Sequence, residues 1–239
     1  QNGHVWQWSL GEAPVQVPGL NDIAAVSAGG GHYLALTFYG DVYAWGSNQS
    51  GQLGIGSTED SAVPRKLNLL NMVDVAAGHS HSLAVAYDGT VYAWGANTYG
   101  QLGSEKVDSV SEPIQVKNIK NAVQVSAGND VSMVRTSDGK IYTWGYGEYG
   151  QLGTSQGGTS QSTPKLLASA DKPAMIASGV YHNMYVSESG SLYLWGRNRD
   201  YQLGNQRNTN ANTPQRISNQ VELGEQHQTS GLSSASAWA

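Results

Sequence analysis

Val91-Tyr92-Ala93-Trp94-Gly95-Ala96-Asn97-Thr98-Tyr99-Gly100-Gln101-Leu102-Gly103 decides how the rest of the chain is read, because three other segments nearly repeat it. Val42-Tyr43-Ala44-Trp45-Gly46 leads to Gly51-Gln52-Leu53-Gly54. Ile141-Tyr142-Thr143-Trp144-Gly145 leads to Gly150-Gln151-Leu152-Gly153, and Leu192-Tyr193-Leu194-Trp195-Gly196 to Tyr201-Gln202-Leu203-Gly204. The four tryptophans stand 49, 50 and 51 residues apart. A period near 50 means one supersecondary unit copied several times.

Around Trp94 the unit reads as short strands and turns. Val73 to Gly78 is an apolar alternation ending at glycine, and His81 to Ala86 is a second strand. Asp88-Gly89 is a hairpin signal, because tight primed turns need positive φ. Thr90 to Trp94 returns, and after the Gly-Gln-Leu-Gly loop Pro113 is expected to open a last strand, Ile114-Gln115-Val116. Four short strands per period is the content of a propeller blade. No 3.6-residue periodicity runs over a useful length, so an all-β chain with little or no helix is predicted. The Val-Tyr-Ala-Trp strand is apolar on both faces, as a strand covered by neighbouring blades must be. Burying one indole of ~200 Å² is worth about 5 kcal/mol at ~25 cal/mol/Å². Trp8, Trp45, Trp94, Trp144 and Trp195 are therefore assigned to the core, with Trp8 placed by aligning Asn2-Gly3-His4-Val5-Trp6-Gln7-Trp8 on residues 88–94. This first unit lacks the Gly-Gln-Leu-Gly loop. The repeats span residues 1–227; residues 228–239, rich in Ser and Ala, read as a degenerate or closing tail.

Composition narrows the function. A formal net charge of −5 with only 13 Lys and Arg in 239 residues argues against nucleic acid as a partner, since phosphate binding needs those residues. No apolar run of 18 residues is present, so no membrane span is expected. With no cysteine, disulfides, zinc thiolates and thiol catalysis are excluded. A start at Gln1 rather than Met, few lysines and abundant small polar residues fit a processed, extracellular or cell-surface protein.

The spaced pattern Ala77-Gly78-x-x-His81-x-Leu83-Ala84, Asp88-Gly89, Tyr92-x-Trp94-Gly95-x-Asn97-x-x-Gly100-Gln101-Leu102-Gly103 resembles the regulator-of-chromosome-condensation repeat. The resemblance covers roughly residues 1–227 and implies a β-propeller, usually of seven blades. It includes nucleotide-exchange factors, a plant ultraviolet photoreceptor and secreted bacterial β-lactamase-inhibitory propellers, which share protein recognition by loops on a rigid disc. Three departures stand out. About five units are present; Val131 replaces the repeat histidine; Tyr201 replaces a loop glycine. The unit count fits a five-bladed ring, part of a larger ring, or a protomer completed by another copy.

Little chemistry is legible. His32, His81, His182 and His227 recur at one blade position, which spreads them around a ring rather than converging them on a metal. They read as structural, bonded within the glycine-bounded turn. Gly29-Gly30-Gly31 lacks the following helix and Gly-Lys-Ser/Thr ending of a phosphate loop. No metal site, cofactor or catalytic residue is assigned. The variable loops carry the better signal: Tyr99, Tyr146, Tyr149, Arg197, Arg199 and Tyr201 have no duty that the period demands, and Tyr and Arg are enriched at interface centres. The expected function is a non-enzymatic interaction platform for another protein or another copy of itself. The alternatives are an inhibitor of a secreted enzyme such as a β-lactamase and a self-assembling extracellular structural protein.

Overall fold

The computed structural model describes residues 3–105, 108–155 and 157–217. Every regular element among them is a strand. A two-stranded hairpin, β1 (Trp6–Gln7) and β2 (Val15–Gln16), precedes four four-stranded antiparallel sheets. The first blade is β3 (Ile23–Ala28), β4 (His32–Thr37), β5 (Val42–Gly46) and β6 (Ser61–Lys66). The second is β7 (Met72–Ala77), β8 (His81–Ala86), β9 (Val91–Ala96) and β10 (Ser109–Gln115). The third is β11 (Ala122–Ala127), β12 (Val131–Thr136), β13 (Ile141–Gly145) and β14 (Gln161–Leu167), and the fourth β15 (Pro173–Ser178), β16 (His182–Ser187), β17 (Leu192–Gly196) and β18 (Ala211–Arg216). Strand order within each blade follows the chain, and successive blades pack through their innermost strands: β7 on β3 and β4, β11 on β7 and β8, β15 on β11 and β12. This is an all-β propeller of about five units, the first of them reduced.

Pro14 directly precedes β2, as expected of a strand-opening proline, but the later repeat prolines do not open the last strand. Pro64, Pro113, Pro164 and Pro214 lie inside it, where the register slips: Gly46 faces Ser61, whereas Ala44 faces Arg65. The equivalent slips separate Val110 from Ile114, Gln161 from Lys165 and Ala211 from Gln215. A bulge on an outermost strand is where a residue without an N–H costs no ladder bond.

One indole sits in each layer between blades. Trp94, Trp144 and Trp195 are fully buried against the preceding blade, and Trp45 packs with Val17, Leu20 and Ala35 under the N-terminal hairpin. The indole N–H groups of Trp94, Trp144 and Trp195 each donate to the backbone carbonyl of the previous unit's loop glutamine, Gln52, Gln101 and Gln151, at 2.8 Å. That carbonyl also accepts from Ser82, Ser132 and Asn183 of the blade it docks on. The Gly-Gln-Leu-Gly loop is thus a plug between blades. Its last glycine is pressed on the indole: a Cβ on Gly54 would lie 2.8 Å from Trp94 Nε1.

Trp8 departs from its expected place. It is 63% exposed, because among the described residues the first unit has only two strands of two residues and no preceding blade lies against them. In place of the missing loop, Gln7 Oε1 accepts the Trp45 indole N–H at 3.1 Å. The histidines also differ from expectation in what they bond. His32 Nε2 lies 2.8 Å from Ser82 Oγ and His81 Nε2 3.0 Å from Ser132 Oγ, so they pin one blade to the next rather than closing their own turn. Each serine hydroxyl already donates to a carbonyl, so the imidazole Nε2 is the donor. Burial lowers the His32 pKa to about 4, with His79 adding to it, and lowers that of His81 to about 3, so both rings are neutral donors. Where Val131 removes the histidine, Asn183 replaces the serine and shares the Gln151 carbonyl with the Trp195 indole, with no imidazole bonded to it. His227, the boundary at 227 and the tail 228–239 lie outside the described residues.

Candidate binding surface

The loops that follow β9, β13 and β17 share one frame with the turns between each blade's first two strands. In this frame the loop glutamine side chain accepts the backbone N–H two residues before it: Tyr99 to Gln101, Tyr149 to Gln151, Asp200 to Gln202. Asn97 and Asn198 Oδ1 accept the N–H of Leu102 and Leu203, and both leucines are buried. Side chains at the remaining loop positions are therefore presented from a braced backbone, which keeps the ordering cost of a docked surface low.

Four of the six residues expected at an interface meet on this face. Tyr99 and Tyr146 rings lie 4.6 Å apart, Tyr146 and Tyr149 5.8 Å apart, edge on. Tyr181, which loop reading missed, completes the group at 5.4 Å from Tyr149 and 6.4 Å from Tyr146. The Arg197 guanidinium stands 6.0 Å from the Tyr181 ring centroid and is held by Asp200 at 3.0 Å. Edge-to-face rings at these separations attract one another beyond their buried area, and a cation over a ring adds to that. The cluster spans three blades. Tyr99 is exposed, while Tyr146, Tyr149 and Tyr181 are half-buried, so the rings form a shared surface rather than a core. The Tyr146 hydroxyl donates to Glu148, and that bond raises the phenol above its ordinary pKa.

Beside the rings, Asp130 accepts from Gln101 Nε2 at 3.0 Å and from Asn129 Nδ2 at 2.6 Å. Burial raises its pKa, opposed by His79 and by the Asn129 bond. Arg199 and Tyr201 stand apart: both are exposed, on the loop after β17, and no ring contact joins Tyr201 to the cluster among the described residues. Tyr201 holds φ at +62° where Gly51, Gly100 and Gly150 hold about +80°. At those glycines a Cβ would meet the next blade's outermost strand, at Ser111, Ser162 and Asn212; Tyr201 has no such neighbour among the described residues. No group of three or more His, Cys, Asp or Glu side chains that could hold a metal occurs among the described residues. Tyr181 was legible in principle, since it takes the turn position held by Ser80 and Asp130 in the preceding blades and is the one aromatic there.

The model of the RCC1-like domain matches residues 2–234. The ultraviolet-B receptor UVR8 of Arabidopsis thaliana is 46% identical over 56 residues, which are 23% of this chain and 13% of that protein. The regulator of chromosome condensation of Drosophila melanogaster is 42% identical over 67 residues, 26% of this chain and 12% of that protein. Among solved structures, human WBSCR16 superposes with a TM-score of 0.78 at 27% identity, over 84% of this chain and 54% of that one. Yeast RCC1 (Prp20), solved bound to Kap60, gives 0.77 at 27% identity, over 86% of this chain and 51% of that one. The chain therefore spans about half the length of these solved relatives and a smaller part of the curated ones.

Proposed function

Because this chain belongs to the RCC1-like domain family, whose model matches residues 2–234, we propose that it is a non-enzymatic interaction platform that docks a partner protein on the loop face bearing Tyr99, Tyr146, Tyr149, Tyr181 and Arg197. The carrying observation is the aromatic cluster itself. Four tyrosines from three blades meet on braced loops, although the fold needs none of them, since other repeats place Ser50 or Asp200 where Tyr99 and Tyr149 stand. Large rigid rings supply contact area at low entropic cost, and such residues dominate interface energies. A relative solved in complex, yeast RCC1 with Kap60, lends the reading support at the level of the family.

The test starts from proteins captured from the native source on the immobilised chain. Each is then measured against wild type and the Tyr99→Ala/Tyr149→Ala variant by surface plasmon resonance. Affinity is expected to weaken by more than about tenfold, as for interface hot spots, with the melting temperature little changed. Equal affinity for both proteins removes the site.

A further inference from the structure

One amide of the loop face has no acceptor. Among the described residues, Gln151 Nε2 is buried without a hydrogen-bond partner, while Oε1 of the same side chain accepts the Tyr149 N–H at 2.8 Å. A buried donor left unpaired costs free energy, so such a group calls for an explanation. The Nδ1 atoms of His32 and His81 also lack a partner, but they press on the backbone of Gly29 and Gly78. Even a Cβ there would lie only 2.9 and 2.5 Å from them, so no ligand can reach them. Gln151 differs, because its loop belongs to the face that the tyrosines share.

The preceding joint shows what the amide lacks. There Gln101, held in the same frame, donates through Nε2 to the Asp130 carboxylate at 3.0 Å, and the Asp130 carbonyl accepts the Tyr146 N–H at 2.8 Å. One period on, the Tyr181 carbonyl accepts the Arg197 N–H at 2.8 Å, so Tyr181 stands in the place of Asp130. Gln151 keeps its position at this joint: a Cβ on Gly196 would lie 3.3 Å from Gln151 Cβ. The turn has exchanged a carboxylate for a phenol, and the glutamine that such a carboxylate serves is still there. The Tyr181 hydroxyl lies instead 3.5 Å from Asn129 Nδ2, toward the third blade.

The rim carries both signs: Asp130, Glu148 and Asp200 against Arg197, Arg199 and, near Asp130, His79. Long-range charge therefore selects no partner; short-range hydrogen bonding does. Each of the three acids already has a donor from the chain: Gln101 and Asn129 for Asp130, the Tyr146 hydroxyl for Glu148, and Arg197 for Asp200. The unmatched capacity is on the donor side, in the Gln151 amide and in the Arg197 fork, whose contact with Asp200 runs through Nη2. A carboxylate has the lone pairs to accept from both, and its bonds to a guanidinium are the stronger, charge-assisted kind. Resting on the reading of this face as a docking surface, we propose that the partner inserts an Asp or Glu side chain beside Tyr149 and Tyr181, where its carboxylate accepts from Gln151 Nε2 and Arg197. The partner thereby supplies the acceptor that Asp130 supplies one blade earlier. Tyr181 holds the place from which that amide is covered, so docking entails a turn of its ring. A partner without the acid leaves the amide buried and unpaired, which makes this contact a source of specificity.

A displayed library of random 12-residue peptides, panned on the full chain and counter-selected on Tyr99→Ala/Tyr149→Ala, yields probes of the loop face. The survivors are expected to share an Asp or Glu, and replacing that acid by Ala should weaken binding to wild type about tenfold. On Gln151→Glu, which keeps the acceptor for the Tyr149 N–H but removes the donor, the advantage of the acid over its alanine form should vanish. It should vanish likewise on Tyr181→Asp, which returns the acceptor to the chain, so the test survives if either variant fails to fold. Matching melting temperatures establish which variants qualify. Survivors with no shared acid, or an acid whose advantage persists on both variants, would overturn the anchor and leave the loop face standing; the Tyr181 ring would then be the acceptor of the amide. Recovery of no peptide that distinguishes wild type from the double alanine variant would overturn the loop face itself.

Discussion

The interfaces between full blades and the interface at the N-terminal hairpin satisfy the same indole N–H with different atoms. Trp94, Trp144 and Trp195 donate to a backbone carbonyl presented by a Gly-Gln-Leu-Gly loop, and a serine or asparagine from the same blade shares that carbonyl. Trp45 donates to the flexible side chain of Gln7, and beside it the hairpin leaves Trp6 and Trp8 in solvent. A carbonyl fixed in a braced loop is preorganised. A glutamine side chain must be ordered for the purpose, so the hairpin's hold on its neighbour is the weaker one. The repeat therefore specifies strong joints inside the array and a soft one at its N-terminal side.

The largest effect should come from the indoles. Trp94→Ala is expected to cost about 3–5 kcal/mol by urea unfolding, and Trp45→Ala distinctly less, because a hairpin of two-residue strands can close over the vacated space more readily than a full blade can. Equal losses would erase the difference between the joints.

The second effect is a pH dependence confined to one interface. Asp74 accepts from Val75 N–H at 3.0 Å and, across the interface, from Val125 N–H at 2.9 Å, whereas in the next blade the neutral Gln124 accepts from Ile176 N–H. Burial pushes the Asp74 carboxyl up to about 7, against those two donors and the nearby Arg135. An acid that binds its proton more tightly when folded stabilises the fold at low pH. Its contribution falls as pH rises from about 4 to about 7. His32 and His81, lowered by burial, act in the opposite sense over the same range, so the wild-type slope is a difference between the two effects. The difference in stability between wild type and Asp74→Asn isolates the carboxyl: it should move in favour of the variant by on the order of 2 kcal/mol between pH 4 and pH 7. A constant difference would remove the effect.

A third test concerns the pin that changes partners. His81→Ala and Ser132→Ala should each cost about 1 kcal/mol, with a coupling of similar size in the double-mutant cycle. Val131→His should be unfavourable opposite Asn183 and be rescued, in part, by Asn183→Ser. Full additivity in both cycles would mean that the pins are independent. The smallest effect is expected for Gln7→Ala, about 0.5 kcal/mol, since water can reach the freed indole N–H at the hairpin joint. A loss as large as that of Trp94→Ala would show the side-chain acceptor to be as firm as the backbone one.

Much of this architecture is readable from the sequence. The period locates Trp45, Trp94, Trp144 and Trp195 in the core, and Asp88-Gly89 and its relatives locate the hairpin turns. Trp8 departs from its expected place because alignment equates a position with its environment, and the first unit lacks the loop and, among the described residues, the two inner strands and the preceding blade that would make the environment equivalent. The later repeat prolines depart by a similar step: proline marks where no N–H is needed, and both a strand start and an edge bulge meet that condition. Of the interface residues, the loop tyrosines are visible as departures from the repeat, whereas Tyr181 lies in the turn between a blade's first two strands, outside the variable loops.

The chain by itself determined what recurs: strand, turn and indole, once per period, because period-two alternation, glycine turns and apolar burial act locally. Only the tertiary structure decided which departures from the repeat meet. Residues one or more periods apart come together according to how each twisted sheet stacks on the next, and that stacking put four tyrosines on one face.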